Sequence, residues 1–325
     1  MKHIAVFTSG GDSPGMNACI RAVVRTALHE GVEQVSGIYR GYEGMIENEF
    51  IAMNAGSVSN IIQSGGTILR SARSEAFRTA EGRRQAYKNL KDKGIEGIVA
   101  IGGDGTFTGA NIFMKEYPDL AIVGCPGTID NDLFGTDYTI GYDTAINTAM
   151  AAIDNIKDTA NAHGRLFFVE VMGRDAGFIA LMSGLATGAE DILVPEFHTD
   201  MGDLVARLEK GFSNKKNSSI VVVAEGDDAG GAFQVAEEVK KRLSTPVEIK
   251  VTILGHVQRG GRPTCMERVR ASRMGMFAVN ALLEGQRGVM IGEVNHEIVY
   301  TPFEQAIKHN FEVDPSIMKM IQVLA

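Results

Sequence analysis

Two carboxylates one residue apart, Asp130 and Asp132, stand in the segment Pro126-Gly127-Thr128-Ile129-Asp130-Asn131-Asp132, directly after the apolar run Leu120–Gly124. Like charges at this spacing repel each other, and neither can enter a core unpaired. The mouth of a strand is where open α/β sheets bind ligands. A second loop of this kind, Gly102-Gly103-Asp104-Gly105-Thr106, ends the predicted strand Gly97–Ile101. A third, Ser9-Gly10-Gly11-Asp12-Ser13-Pro14-Gly15, ends the first strand of the chain. Glycines let backbone N–H groups approach phosphate oxygens, and a bare carboxylate suits a hard metal ion that keeps phosphate and water ligands. Three such loops on consecutive strand ends point to one site that handles phosphates and a metal ion.

The loops need a scaffold, and the chain repeats strand, glycine loop, helix. Ile4–Thr8 reads as a strand, and Met16–His29 has helical spacing at Ile20, Val23, Val24 and Leu28, with Gly31 as its stop. Gly97–Ile101 leads to a helix near Phe107–Lys115, Ala121–Gly124 is the next strand, and Thr144–Ala162 a long helix. Further strands are expected at Leu166–Val171, Ile192–Val194, Ile220–Ala224, Glu248–Leu254 and Gly288–Ile291. Helices are expected at Met201–Phe212, Phe233–Leu243 and Cys265–Leu283, with a last one capped by Asp314 ahead of Pro315. Short, continuously apolar strands alternating with helices predict an α/β fold with mainly parallel sheets covered on both faces. At 325 residues the length suggests about two domains, with no repeat and no linker to mark the boundary.

Composition narrows the function. With 44% hydrophobic and 22% charged residues the chain can bury a sizeable core. A formal charge of −8 argues against nucleic acid or an anionic membrane as partner, so anionic ligands must meet local arginines and lysines. Cys19, Cys125 and Cys265 are far apart, have no metal-ligand spacing and fit a reducing compartment. No apolar run approaches membrane-spanning length, and the expected location is the cytoplasm.

Each loop has a plainer reading beside the chemical one. Gly10-Gly11 can be a tight strand-to-helix turn, and no lysine with serine or threonine follows it to make a Walker loop. Asp104 can be a helix N-cap. Gly102–Gly105 also resembles a motif of NAD kinases and diacylglycerol kinases, so alone it indicates only a kinase of a broad type. Asp130 and Asp132 as an Asx-turn pair would leave Gly127, Thr128 and Asn131 without a role. A hydroxyl attacking a terminal phosphoryl group, by contrast, needs a base at its proton and a carboxylate for the metal shell.

Together, Ser9-Gly10-Gly11-Asp12-x-Pro14-Gly15-Met16-Asn17, Gly102-Gly103-Asp104-Gly105, Pro126 to Asp132, Met172-Gly173-Arg174 and Gly255-His256-x-Gln258-Arg259-Gly260-Gly261 resemble the bacterial ATP-dependent 6-phosphofructokinases. The motifs run in the right order over nearly the whole chain. The resemblance implies two Rossmann-like three-layer α/β/α domains with the active site in the cleft between them. Residues 1–141 with 255–308 would form the larger, nucleotide-binding domain, and 142–254 with 309–325 the smaller, sugar-phosphate domain. It also implies magnesium, ATP and fructose 6-phosphate as ligands, and a homotetramer with sites shared between subunits.

By the same resemblance Asp130 is the general base toward the 1-hydroxyl of the sugar, with Thr128 and Ile129 beside it. Asp104 and Asp132 serve the metal, the Gly11 amide meets the transferring phosphate, and Arg73 and Arg174 balance its charge. Tyr42, Ser74, Gly103, Gly105, Thr106 and Gly109 would line the nucleotide side. Arg165, Met172, Gly173, Glu225, Lys250, His256, Val257, Gln258 and Arg259 would line the sugar-phosphate side. His256 taken alone reads as a satisfied buried histidine. Lys250 stands where the family usually has arginine, and losing the two-pronged guanidinium is expected to raise the KM for the sugar phosphate while sparing catalysis.

Pyrophosphate-using relatives resemble Gly-Gly-Asp-Asp and Pro-Lys-Thr-Ile-Asp at two of these loops. Gly105 and Gly127 lack those side chains, which is expected to leave room for the α-phosphate of ATP. A ligand sensor without chemistry would be expected to lose one of Asp104, Asp130, Asp132, Arg73 or Arg174, and all are present. An effector site for ADP, GDP or phosphoenolpyruvate is matched by Arg21, Arg25, Gly188, Glu190 and Lys216. Ala55, Lys157 and Asn214 depart from its usual basic residues, so a blunted response is expected.

Overall fold

The runs Ile4-Ala5-Val6-Phe7 and Ile98-Val99-Ala100-Ile101 are fully buried, as strands covered on both faces must be. A computed structural model of the chain describes residues 1–214, 219–309 and 313–324. The first elements are β1 (His3–Thr8), α1 (Met16–His29), β2 (Gln34–Ile38), α2 (Gly41–Ile46), β3 (Phe50–Met53) and α3 (Ala80–Asp92). Next come β4 (Gly97–Gly102), α4 (Asp104–Glu116), β5 (Ala121–Thr128), β6 (Ile140–Gly141), α5 (Tyr142–His163), β7 (Leu166–Val171) and α6 (Phe178–Thr187). Then follow β8 (Asp191–Leu193), α7 (Met201–Ser213), β9 (Ser219–Ala224), α8 (Ala232–Arg242) and β10 (Ile249–Ile253). The chain ends with α9 (Cys265–Leu283), β11 (Val289–Val294), β12 (Glu297–Pro302), α10 (Phe303–Ala306) and α11 (Pro315–Leu324).

The chain divides into two compact units. The first comprises Met1–Ile129, Leu133–Thr144 and Arg259–Asn310; the second comprises Asp130–Asp132, Ala145–Gln258 and Phe311–Ala325. The boundary therefore falls inside α5, after Thr144, and not at the start of that helix as the sequence suggests. Residues 130–132 and 255–258 group with the second unit, where that reading put them in the first.

In the first unit the sheet order is β12-β11-β5-β4-β1-β2-β3, with β6 beside the end of β5. All pairings are parallel except those of the outer strands, β3 on β2 and β12 on β11. One face is covered by α1 and α9, whose Cys19, Ile20, Val23, Met274 and Ala278 join the core. The other carries Phe107 and Phe113 of α4 with Phe77 and Phe303. From the central pair β1 and β4 the chain winds outward in opposite directions, through α1 to β2 and through α4 to β5. The gap between β1 and β4 is thus the switch point at which such sheets bind ligands.

The second unit has a fully parallel sheet of order β10-β7-β9-β8. Leu204, Leu208, Val235 and Val239 of α7 and α8 cover one face. Asp200 caps α7 by accepting the amides of Gly202 and Asp203 at 2.7 and 3.0 Å. Asp314 accepts the Ser316 amide at 2.8 Å ahead of α11, as Asp314-Pro315 predicts.

Candidate active site

The first two glycine loops and the aspartate loop leave the neighbouring strands β1, β4 and β5 at one level; β5 runs on through Pro126, Gly127 and Thr128, which the sequence reads as loop, so the aspartate loop begins at Ile129. Thr8 pairs with Ile101, and Gly102 with Pro126, so each strand ends within a residue or two of the next. Hydrogen bonds then lock the first two loops to each other and to the segment at Arg70 and Ser71. The Ser9 amide donates to the Ile101 carbonyl at 3.0 Å, and the Thr106 hydroxyl to the Ser9 carbonyl at 3.3 Å. Thr8 Oγ1 donates to the Arg70 carbonyl at 2.7 Å, and the Ser71 hydroxyl donates to the Gly10 carbonyl. The segment bearing Arg73 is thereby tied to the first loop, with Arg73 itself exposed. Ser74 accepts the Phe77 amide at 3.1 Å and starts the short turn that follows.

Tyr42 is buried here, stacked on Phe77 at 3.9 Å between ring centroids. Its hydroxyl donates to the Thr106 carbonyl at 2.6 Å, and burial pushes its pKa far above the ordinary range. A Cβ on Gly109 would come within 3.2 Å of the Tyr42 ring, so in this structure both residues pack the base of α4.

Asp104 is not the N-cap of α4. Gly103 is, with no side chain to bond, and Asp104 opens the first turn. Its side chain is 36% exposed and its Oδ2 lies 3.7 Å from His309 Nε2. Nothing would lie within 4 Å of a Cβ on Gly105, so this glycine does leave open space. Gly127 differs: its Cβ would come 2.9 Å from Met16 Cε and 3.2 Å from the Gly102 nitrogen. Close packing against β4 accounts for this glycine, and the open-room argument stands on Gly105.

In the aspartate loop Ile129 is fully buried, and Asp130 and Asp132 are 8% and 6% exposed. Asn131 between them has φ 56°, the left-handed region that asparagine tolerates better than most residues. Among the described residues no group of three or more His, Cys, Asp or Glu could hold a metal by protein ligands alone. Magnesium needs fewer, because it keeps waters and binds through one or two carboxylates plus substrate phosphates. A carboxylate at a helix start flanked by bare glycines fits that ion.

Arg259, assigned by resemblance to the sugar phosphate, rests on the first loop. Its guanidinium donates to the Asp12 carbonyl at 3.4 Å, and a Cβ on Gly11 would come 2.6 Å from its Nη1.

The second unit holds the remaining candidates at the ends of its strands. After β7, Glu225 accepts the amides of Gly173 and Arg174 at 3.2 and 2.7 Å, and buried Gln258 accepts the Met172 amide at 3.2 Å. Arg174 is exposed and has φ 55°, a strained value for arginine that these bonds hold in place. Arg165 and Lys250 both meet Glu248, at 2.6 and 2.8 Å. Lys250 and Arg165 together hold the Glu248 carboxyl below its ordinary range. His256 and Val257 are exposed, so His256 is not a buried, satisfied histidine.

Of the effector candidates, Lys157 donates to the Thr187 and Gly188 carbonyls at 2.6 and 3.4 Å, capping the C-terminus of α6. The Glu190 amide donates to the Ile220 carbonyl. Arg21 and Arg25 lie on α1, Ala55 and Asn214 are exposed, and Lys216 lies outside the described residues.

Sequence reasoning missed Glu267, a buried carboxyl beside these loops that burial pushes up to about 7. Thr264-x-x-Glu267 is a visible capping signature. Thr264 does accept the Glu267 amide at 3.1 Å, but the carboxylate turns away to Gly141 and Thr144.

Comparison with known proteins is uniform. The phosphofructokinase family model matches residues 3–282. The chain is 56% identical over 325 residues to ATP-dependent 6-phosphofructokinase 1 of Thermus thermophilus, covering 100% of both. It is 53% identical over 324 residues to the ATP-dependent 6-phosphofructokinase of Cytophaga hutchinsonii, covering 100% of this chain and 98% of that protein. Phosphofructokinase from Saccharomyces cerevisiae superimposes with a TM-score of 0.89 at 39% identity, covering 95% of this chain and 45% of that longer one. A pyrophosphate-dependent phosphofructokinase from Marinobacter aquaeolei shares the fold, with a TM-score of 0.84 at 22% identity over 100% of this chain and 91% of that one.

The bracing of the Arg174 turn is open to test. A hydrogen bond to a charged acceptor contributes about 1.5–3 kcal/mol, a ten- to hundredfold change in a local opening equilibrium. Glu225→Ala should therefore speed hydrogen exchange at the Gly173 and Arg174 amides by at least about tenfold. Unchanged exchange would mean that Glu225 does not hold the turn.

Proposed function

Because the chain belongs to the phosphofructokinase family, we propose that it moves the γ-phosphoryl group of ATP to the 1-hydroxyl of D-fructose 6-phosphate. The products are fructose 1,6-bisphosphate and ADP, the committed step of glycolysis, and the cytoplasm is the compartment that goes with it. The observation that carries this reading is the level ending of β1, β4 and β5 at the sheet's switch point, with glycine-lined loops after β1 and β4 and the aspartate loop after β5. The open face of Gly105 supports ATP as donor over pyrophosphate.

In this reading the first unit binds nucleotide and the second binds sugar phosphate. Asp130 accepts the proton of the 1-hydroxyl as its oxygen bonds to the γ-phosphorus and the bond to the β-phosphate oxygen breaks. The Gly11 amide and the guanidinium groups of Arg73 and Arg174 take the charge that grows on the transferring oxygens. Asp104 and Asp132 would hold magnesium, which when bound would neutralise phosphate charge. Thr128 and Ile129 seat Asp130. Ser74, Gly103 and Thr106 shape the nucleotide side, while Tyr42 and Gly109 support it from beneath.

Arg165, Lys250 and Arg259 supply cations for the sugar phosphate and His256 a ring N–H, and Met172, Gly173, Glu225, Val257 and Gln258 frame the sugar. We further assign a homotetramer in which Arg165 and Lys250 serve a neighbouring subunit. An effector site for ADP, GDP or phosphoenolpyruvate would use Arg21, Arg25, Lys157, Gly188, Glu190 and Lys216. Lys157 spends its charge on helix carbonyls, which supports a weak response.

A coupled assay with fructose 6-phosphate should show turnover with magnesium and ATP and little with pyrophosphate. Preferential use of pyrophosphate, or no turnover with either donor, would overturn the proposal. Asp130→Ser should lower kcat by about 10²–10⁴-fold, the worth of a positioned base, with the sugar KM little changed. An equal loss spread over KM would assign Asp130 to binding instead. Saturation curves should move by less than about tenfold on adding ADP or phosphoenolpyruvate, because a lost charge-assisted bond costs that much affinity or more. A strongly sigmoidal curve that ADP makes hyperbolic would contradict this.

A further inference from the structure

Glu267 lies on the third residue of α9 and is 2% exposed. Its Oε1 accepts the Gly141 amide at 2.8 Å, and its Oε2 accepts both the amide and the hydroxyl of Thr144 at 3.2 Å. These amides belong to the start of α5, where four N–H groups lack partners within the helix and a carboxylate is favoured. Gly141 is also the register partner of Thr128, the last residue of β5. Thr139 donates its hydroxyl to the Thr128 carbonyl at 2.6 Å, closing the same corner.

The corner touches the phosphate loop as well. The Ser13 hydroxyl donates to the Ile140 carbonyl at 2.7 Å. Gly15, at φ 104°, packs so tightly that a Cβ there would lie 2.9 Å from Glu267 Cγ and 3.0 Å from Ile140 Cγ2. On its other side Asp143 accepts the hydroxyl of Thr264, the N-cap of α9. One buried carboxylate thus joins α9, the start of α5, the end of β5 and the loop after β1.

We propose that Glu267 is a positioning residue for phosphoryl transfer: by holding Gly141 and Thr144 it fixes Thr128 and Ile129 against Ser13 and Gly15. The inference rests on the kinase reading above. Its chemical content is geometric. Asp130 follows Ile129 directly in the chain, and Gly11 lies two residues before Ser13, so both groups inherit their placement from this corner. Misplacing reacting groups by about 1 Å can cost about a hundredfold in rate while ground-state binding survives.

Glu267→Gln keeps the shape and one acceptor oxygen but sets an amide N–H₂ group among N–H donors. Ser13→Ala releases the same corner from the opposite side and removes only a hydroxyl. Wild-type enzyme is assayed first with magnesium, ATP and fructose 6-phosphate, and absence of turnover there would overturn the function reading itself. Given activity, Glu267→Gln should retain a cooperative melting transition and lose about 10- to 100-fold in kcat, with both KM values within about threefold. Ser13→Ala should lose about three- to tenfold in kcat, and the double variant less than the product of the two losses. A kcat within twofold of wild type in folded Glu267→Gln, a loss confined to KM, or fully multiplicative losses would overturn the inference. If Glu267→Gln does not fold, an unchanged kcat in Ser13→Ala overturns it alone.

Discussion

Everything at the candidate site depends on the in-register parallel pairing of β4 with β1 and β5. Parallel strands paired residue for residue must end together, so the segments that follow are delivered to one edge. Because the winding reverses between β1 and β4, helices α1 and α4 diverge there and leave a gap that no crossover fills. Helix starts such as those of α1 and α4 carry N–H groups that lack partners within the helix, and an anion is favoured there. Glycines keep that space open, while Thr106, Tyr42, Ser71 and Thr8 hold the loops around it by hydrogen bonds to backbone carbonyls.

The second unit solves a different problem with similar means. Arg165 and Lys250 lie at the starts of β7 and β10, and the turn after β7 holds an arginine in a strained backbone conformation. Glu225 and Gln258 use side-chain oxygens to satisfy three amides of the Met172–Arg174 turn, which offsets the cost of the positive φ at Arg174. Glu248 holds Arg165 and Lys250 side by side, so two like charges share one carboxylate. Lys250 offers a single point of contact where arginine would offer a fork, so the pair is asymmetric.

Much of this was legible in the sequence, for identifiable reasons. The expected strands are all present: burial on both faces leaves an unambiguous signal in β1, β4 and β9, whereas β10 is half-exposed and reads through its alternating apolar positions. The loops were legible because glycine beside aspartate has few structural explanations. The elements that went unseen carry weaker signals: β2 contains Gly37, and β3 and β12 are outer strands with exposed positions. α3 is largely polar, and α6 is so uniformly apolar that its period is hidden. Helix α4 begins at Asp104, three residues before its expected start, because glycines mask the first turn.

The site was read with similar unevenness. Tyr42 and Gly127 answer to packing partners distant in sequence, Phe77 and Met16, which no local pattern shows. Glu267 looks like one half of a local capping box, yet its oxygens go to residues more than a hundred positions away. The central claim is that the three loops close on one magnesium-bound nucleotide and its acceptor alcohol. Hydrogen exchange with and without magnesium, a non-hydrolysable ATP analogue and fructose 6-phosphate tests it most directly. The account predicts joint protection at 10–13, 103–106 and 128–132; protection at only one of these segments, or at none, would contradict it.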